Sequence, residues 1–162
     1  MKVGEITHMP LREHGKDQIS NVQEEYNFFH NTEIQVRFND VDMMGHVNNA
    51  VYQNYFDYGK VKYFNEVLGE DVDWQENGLV LAKITVEYFT PILLNENICI
   101  RSKIIRIGNK SMDMIQEIFD SESGETKSTG LSVMVGYNFN SKSTVLIPIV
   151  WKQSFRSFEQ KL

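Results

Sequence analysis

Five side chains with chemical potential fall in one short polar stretch, Asn39-Asp-Val-Asp-Met-Met-Gly-His-Val-Asn-Asn49. Asp40 and Asp42 offer carboxylates, His46 an imidazole, and Asn48 and Asn49 carboxamides. A carboxylate is ionised at neutral pH, so it can take a proton from water as a general base or attack a carbonyl itself. An imidazole can orient that water or that carboxylate. Two carboxylates and a histidine could also ligate a metal. No further histidine or carboxylate cluster completes such a shell, so no metal is expected. The plainest alternative is that Asp40 and Asp42 only form the turn or cap the next helix. A D-x-D of the sugar-nucleotide type would need a nucleotide-binding βαβ unit, which this sequence lacks.

The flanking pattern says what positions these residues. Ile34, Val36 and Phe38 alternate with Gln35, Arg37 and Asn39, which predicts a strand running into the turn. After the turn, Tyr52, Phe56, Gly59, Tyr63 and Val67 recur at helical spacing and place one aromatic face along a long helix. Asn48 or Asn49 can cap its start and Gly69 can end it. The polar stretch therefore meets a helix N-terminus, whose unpaired N–H groups stabilise negative charge. Gly59 on the apolar face predicts a close approach of the helix to whatever covers it, against a helix-interior cost of about 1 kcal/mol.

Further strands are predicted over Leu79–Thr90, Ile98–Ile107, Met112–Phe119 and Thr126–Phe139, with turns at Gly108–Ser111, Ser121–Glu125 and Ser141–Ser143. In the first of these, Ala82, Ile84, Val86 and Tyr88 form one side and Lys83, Thr85 and Glu87 the other, and Pro91 stops it. In the second, Ile98, Ile100, Ile104 and Arg106 share a side. Gly130 or Gly136 is expected to mark a bulge in the last strand. Pro148 followed by Trp151, Phe155 and Phe158 predicts a C-terminal helix. One helix followed by hairpin-linked strands argues for an α+β fold with an antiparallel sheet. Residues 1–31 are polar and weakly patterned, with Glu24–His30 as a short helix or a segment packed on the body. They are read as an N-terminal extension, and residues 32–162 as one domain.

Composition bounds the function. At 41% hydrophobic and 12% aromatic, the 162 residues can bury a core. A net charge of −6 and a pI near 5.2, with no basic block, speak against nucleic acid as a partner. No apolar run reaches the roughly 20 residues of a membrane span, and the N-terminus lacks an apolar signal-peptide core. The single Cys99, between Ile98 and Ile100, reads as a buried strand residue and excludes an internal disulfide. A cytoplasmic protein without a membrane partner is the expectation.

The run RFNDVDMMGHVNNAVYQNYFDYGKVKYF, followed by four hairpin-linked strands, resembles the hotdog-fold acyl-CoA thioesterases of the 4-hydroxybenzoyl-CoA thioesterase type. The resemblance spans roughly residues 32–160, and its most specific part is D-x-D-x-x-G-H-V-N-N-A-x-Y. It implies an antiparallel sheet wrapped around the central helix, and a homodimer or homotetramer with its active site at the subunit interface. It implies acyl-CoA as substrate and no cofactor. Asp42 would be the catalytic carboxylate and His46 its assistant. The amides around Asn48 to Val51, with Asn49, would polarise the thioester carbonyl. Tyr52 would line the acyl pocket, and so would Leu81 and Ala82, from a strand that pairs across the dimer. Plant acyl-carrier-protein thioesterases are similar in this turn through a D-x-N-x-H pattern. It aligns on Asp42 and His46 but meets Met44 at the asparagine position. Hydrolysis of an acyl-carrier-protein thioester and a non-catalytic acyl-binding module are the alternatives. Scattered cations, Lys83, Arg101, Lys103, Arg106 and Lys110, could meet coenzyme A phosphates.

Overall fold

A computed structural model describes residues 26–160. In chain order the elements are β1 (His30–Ile34), α1 (Asn49–Leu68), β2 (Gly78–Tyr88), β3 (Ile98–Ile107), β4 (Ser111–Asp120), β5 (Thr126–Asn138), the two-residue β6 (Ser143–Thr144) and α2 (Ile149–Glu159). The strands form one antiparallel sheet in the order β1-β3-β4-β5-β2, with β6 on β5. The α+β reading of the sequence holds.

Helix α1 lies against the sheet with the face its spacing predicts. Tyr52, Phe56, Gly59 and Tyr63 are all buried. A Cβ on Gly59 would sit 2.8 Å from Ile100 Cγ2, so glycine here sets how closely helix and sheet meet. Two apolar clusters divide the core. One, around Tyr52, Phe56, Ile92, Ile98 and Ile100, underlies the start of α1. The other joins Tyr63 and Phe64 to Phe155 of α2 and to Met112, Met114 and Met134. Full burial of side chains such as Phe56 and Phe155 is worth about 1.5–3 kcal/mol each.

Several sequence expectations are corrected. The strand before the polar turn is His30–Ile34, and the residues up to Phe38 leave it, because pairing with β3 ends at Ile34 opposite Ile98. Phe38 opens a 3-10 turn, Phe38–Asp40, and is exposed. In β2 the register shifts between Leu81 and Lys83, so Ala82 is an exposed bulge residue while Ile84 and Val86 face the core. A similar shift between Ile104 and Arg106 turns Arg106 out of the core. The bulge in β5 lies at Lys127 instead of a glycine. Gly130 is required for another reason, since a Cβ there would lie 2.9 Å from the Phe56 ring. Tyr26–Phe29 take no helix, although Phe29 packs edge-on to Phe158, and Glu24 and Glu25 lie outside the described residues.

Cys99 is buried in β3, as its apolar neighbours imply. Among the described residues, no helix is long and apolar enough to cross a membrane.

Candidate active site

The polar stretch folds as two linked turns fastened to the start of α1. Asp40 closes the 3-10 turn, accepting the Arg37 N–H on its carboxylate at 2.8 Å. Val41 and Val47 then form an isolated bridge, so residues 42–46 make a tight loop. Asp42 organises that loop. Its N–H donates to the His46 carbonyl at 2.8 Å, and its Oδ1 accepts the N–H groups of Met44 at 2.8 Å and His46 at 3.3 Å. Gly45 adopts φ +80°, a left-handed conformation that favours glycine. The loop is held to the sheet side by Val47 N–H donating to the Ile92 carbonyl and by a bridge between His46 and Leu93.

One Asp42 oxygen is thus used by the loop, and Oδ2 has no hydrogen-bond partner among the described residues. Asp42 borders a cleft of about 270 Å³ together with His46, Asn49 and Tyr52 on one side and Tyr88 and Thr90 on the other. The Thr90 hydroxyl is buried there without a partner among the described residues. Tyr52, 2% exposed, forms the inner wall, its ring edge-on to Tyr88. Burial raises the Tyr52 hydroxyl pKa, against a backbone hydrogen bond from Ile92 that lowers it, so the phenol stays protonated at neutral pH.

The helix start resolves which amide is available. Asn48 is the cap: its Oδ1 accepts Ala50 N–H at 2.9 Å and its carbonyl accepts Val51 N–H at 2.8 Å. The Asn48 N–H itself donates to the Asp40 carbonyl at 2.8 Å. Of the amides from Asn48 to Val51, only that of Asn49 lacks a partner among the described residues, and Asn49 borders the Asp42 cleft.

The structure therefore brings together Asp42, His46, Asn49 and Tyr52. Asn48 stands behind them as the cap. Val51 faces a second, larger cleft of about 620 Å³ on the opposite flank of α1, beside Arg37, Asp40, Tyr55 and Tyr58. That cleft is the roomier one, but Asp42 and Asn49 border the smaller. Leu81 and Ala82 lie on the free edge of β2 and do not reach the Asp42 cleft within one chain. The wall from Tyr88 to Pro91 belongs to the site, and sequence reasoning misses it. Its only sequence signal is that Tyr88-Phe89 breaks the alternation just before Pro91. Of the cations considered for phosphate binding, Arg101 pairs with Glu117, Lys103 with Glu159 and Arg106 with Asp113, while Lys110 bonds Thr144. Among the described residues, no three His, Cys, Asp or Glu side chains cluster so as to hold a metal ion.

Residues 36–155 match the thioesterase-like superfamily. The chain belongs to that superfamily. Its fold is the hotdog fold of the solved superfamily structures. It superposes with a TM-score of 0.72 on a thioesterase from Thermus thermophilus complexed with coenzyme A and Zn, at 29% identity, covering 83% of this chain and 98% of that one. Slr0204, a 1,4-dihydroxy-2-naphthoyl-CoA thioesterase from Synechocystis, superposes at a TM-score of 0.70 over 77% of this chain and 93% of its own, and at 15% identity it shares the fold alone. Among curated relatives, the chloroplastic acyl-acyl carrier protein thioesterase ATL3 of Arabidopsis thaliana is 29% identical over 79 residues, 47% of this chain. The match spans only 41% of that relative's length.

Proposed function

We propose that the protein hydrolyses an acyl-CoA thioester to a free carboxylic acid and coenzyme A. The observation that carries this reading is that Asp42, with one oxygen unbonded, and Asn49, with its N–H unpaired among the described residues, border one cleft at the start of α1. A thioester carbonyl placed between them meets a base or nucleophile and an oxyanion donor. As a base, Asp42 takes a proton from water, whose oxygen attacks the carbonyl carbon. The C–S electron pair then leaves with sulfur, which takes up a proton. As a nucleophile, Asp42 forms a mixed anhydride and expels the thiolate, and water then cleaves the anhydride. In both routes the oxyanion faces the Asn49 amide, a type of donor whose loss typically costs about 2.7–4 kcal/mol in the transition state. His46 and Thr90 border the same cleft, which supports a role for them in orienting water. Tyr52 closes the acyl side.

Membership in the thioesterase-like superfamily supports thioester hydrolysis, and the coenzyme A complex of the Thermus relative supports the carrier. A second reading, hydrolysis of an acyl-acyl-carrier-protein thioester, is favoured by the named activity of the Arabidopsis relative. Parallel rates on one acyl group carried by coenzyme A and by carrier protein separate the two. The reading includes a cytoplasmic homo-oligomer. Strand β2 is an edge strand eleven residues long with Leu81, Tyr88 and the adjacent Phe89 exposed, an edge that antiparallel pairing with a second copy would cover. That pairing would bring the β2 start, with Leu81 and Ala82, beside the partner's cleft. Light scattering that shows only monomer would remove it.

The reading as a whole is tested by assaying an acyl-CoA panel. Turnover by wild type and its loss in Asp42→Asn, with the fold kept, is the expected result. No turnover of any thioester would overturn it.

A further inference from the structure

We propose that Asp40 and Tyr55 are positioning residues for Asp42: a brace between the loop and the second turn of α1 that holds the Asp42 carboxylate in line with the Asn49 amide. The inference rests on the catalytic role assigned to Asp42 above.

The two aspartates of D-x-D open on opposite flanks of α1. Asp42 borders the smaller cleft and Asp40 the larger. Asp40 reaches no part of the Asp42 cleft, yet both ends of the residue are fastened to the helix. Its carbonyl accepts the N–H of the cap residue Asn48 at 2.8 Å. Its Oδ2 accepts the Tyr55 hydroxyl at 2.8 Å, and the same oxygen takes the Arg37 N–H at 2.8 Å. Tyr55 is 7% exposed and belongs to the core cluster under the helix start, so its ring is fixed by packing and its hydroxyl is a fixed point. Burial, then the hydrogen bond to Asp40, push its pKa above the ordinary tyrosine value. The proton therefore stays on Tyr55, and the bond to the carboxylate is a charge-assisted one.

Asp42 follows Asp40 by two residues and starts the loop whose other end is Val47, bridged to Val41. Val47 and His46 also tie the loop to the sheet side, and those bonds leave its tilt relative to α1 free. The Asp40–Tyr55 bond removes that freedom at the loop's entry, while the Asn48–Asp40 bond ties the helix cap to the same residue. The distance between the Asp42 carboxylate and the Asn49 amide is then set by Asp40. A carboxamide at position 40 can still accept from Tyr55 and from Arg37, whereas an alanine cannot.

The test is steady-state kinetics on the acyl-CoA that wild type turns over best, with Asp40→Ala, Asp40→Asn, Tyr55→Phe and Asp42→Asn, assayed well below each variant's Tm. Asp40→Ala and Tyr55→Phe are expected to lower kcat by about ten- to a hundredfold with KM little changed, the size of loss that misplacing a reacting group produces. Asp40→Asn is expected to restore kcat to within about threefold of wild type, a difference under about 0.7 kcal/mol. Adding Asp40→Ala to Asp42→Asn is expected to cause no further loss. Hydrogen exchange at the Met44 and His46 amides, both held by Asp42, should quicken in Tyr55→Phe and stay slow in Asp40→Asn. The inference is overturned if Asp40→Asn is as impaired as Asp40→Ala, which would make the charge of Asp40 part of the chemistry. It is equally overturned if Asp40→Ala keeps its kcat, or if exchange is unchanged in Tyr55→Phe. Full turnover by Asp42→Asn would instead overturn the role given to Asp42 itself.

Discussion

The two ends of α1 each lock a carboxylate with a tyrosine, but only the N-terminal end sets a second, partly unbonded carboxylate beside the lock. At the C-terminal end, Tyr63 donates to Glu159 of α2 at 2.6 Å, Lys103 Nζ reaches the other oxygen at 2.7 Å, and the Ile104 N–H adds a third bond at 3.1 Å. Glu159 is 1% exposed and both its oxygens are engaged. Such a carboxylate locks α2 and β3 to the helix and has no capacity left for a ligand. At the N-terminal end, Tyr55 and Asp40 form the lock, and Asp42 beside them borders a cleft with one oxygen unbonded among the described residues. Chemistry belongs where a charged group is fixed on one side and unsatisfied on the other. Fold stability belongs where it is saturated.

That contrast can be broken experimentally, and the largest effect should come from the open carboxylate. Asp42→Asn should reduce kcat by about 10²–10⁴-fold, the range of general acid–base contributions, while its urea midpoint stays near wild type. Glu159→Ala should do the reverse. Removing one partner of a buried ion pair costs about 3–5 kcal/mol, so chemical denaturation should show a large loss of stability. Where the variant is folded, its kcat should be near wild type. A Glu159 variant that is stable but inactive would collapse the distinction.

A smaller effect separates the ends by pH. His30, 2% exposed, packs edge-on to Tyr63, lies 3.7 Å from Glu66, and has a buried Nδ1 without a partner among the described residues. Burial lowers its pKa below 6.5, with the Glu159 charge opposing. As pH falls through about 6.5 the unfolded chain takes up this proton before the folded one does, so stability falls with acidification. Urea midpoints measured from about pH 7.5 down to about 5.5, a span that brackets the ordinary histidine value, should drop, and should drop less in His30→Asn. The smallest effects are at the surface of the helix start and of the sheet. Asn48→Ala should cost about 1 kcal/mol through its lost cap bond. Arg106→Ala, on an exposed pair, should cost no more than about 1 kcal/mol in urea denaturation.

The helix, the sheet strands and the Asp42 loop are legible in the sequence because each rests on local periodicity or turn chemistry. The aromatic spacing from Tyr52 to Tyr63 fits one buried helix face, and Gly59 on that face signals the contact made with Ile100. Legibility stops where register or long-range pairing decides. The bulge at Ala82 changes which residues of β2 face inward, and a single inserted residue leaves no mark on composition. Strand β1 reads too late in the chain because Ile34, Val36 and Phe38 alternate whether or not β3 continues beside them. Glu159 reads like any polar residue at a helix end, since nothing near it in sequence hints at Tyr63 or Lys103. The wall from Tyr88 to Pro91 joins the site through long-range contacts, the bonds of Val47 and His46 to Ile92 and Leu93 and the Tyr52 ring against Tyr88.

The most direct test is turnover of an acyl-CoA panel by wild type and Asp42→Asn, with circular dichroism confirming that both are folded. Thioester cleavage by wild type and a loss of about 10² or more in the variant are expected. Equal rates in the two proteins would contradict the role given to Asp42.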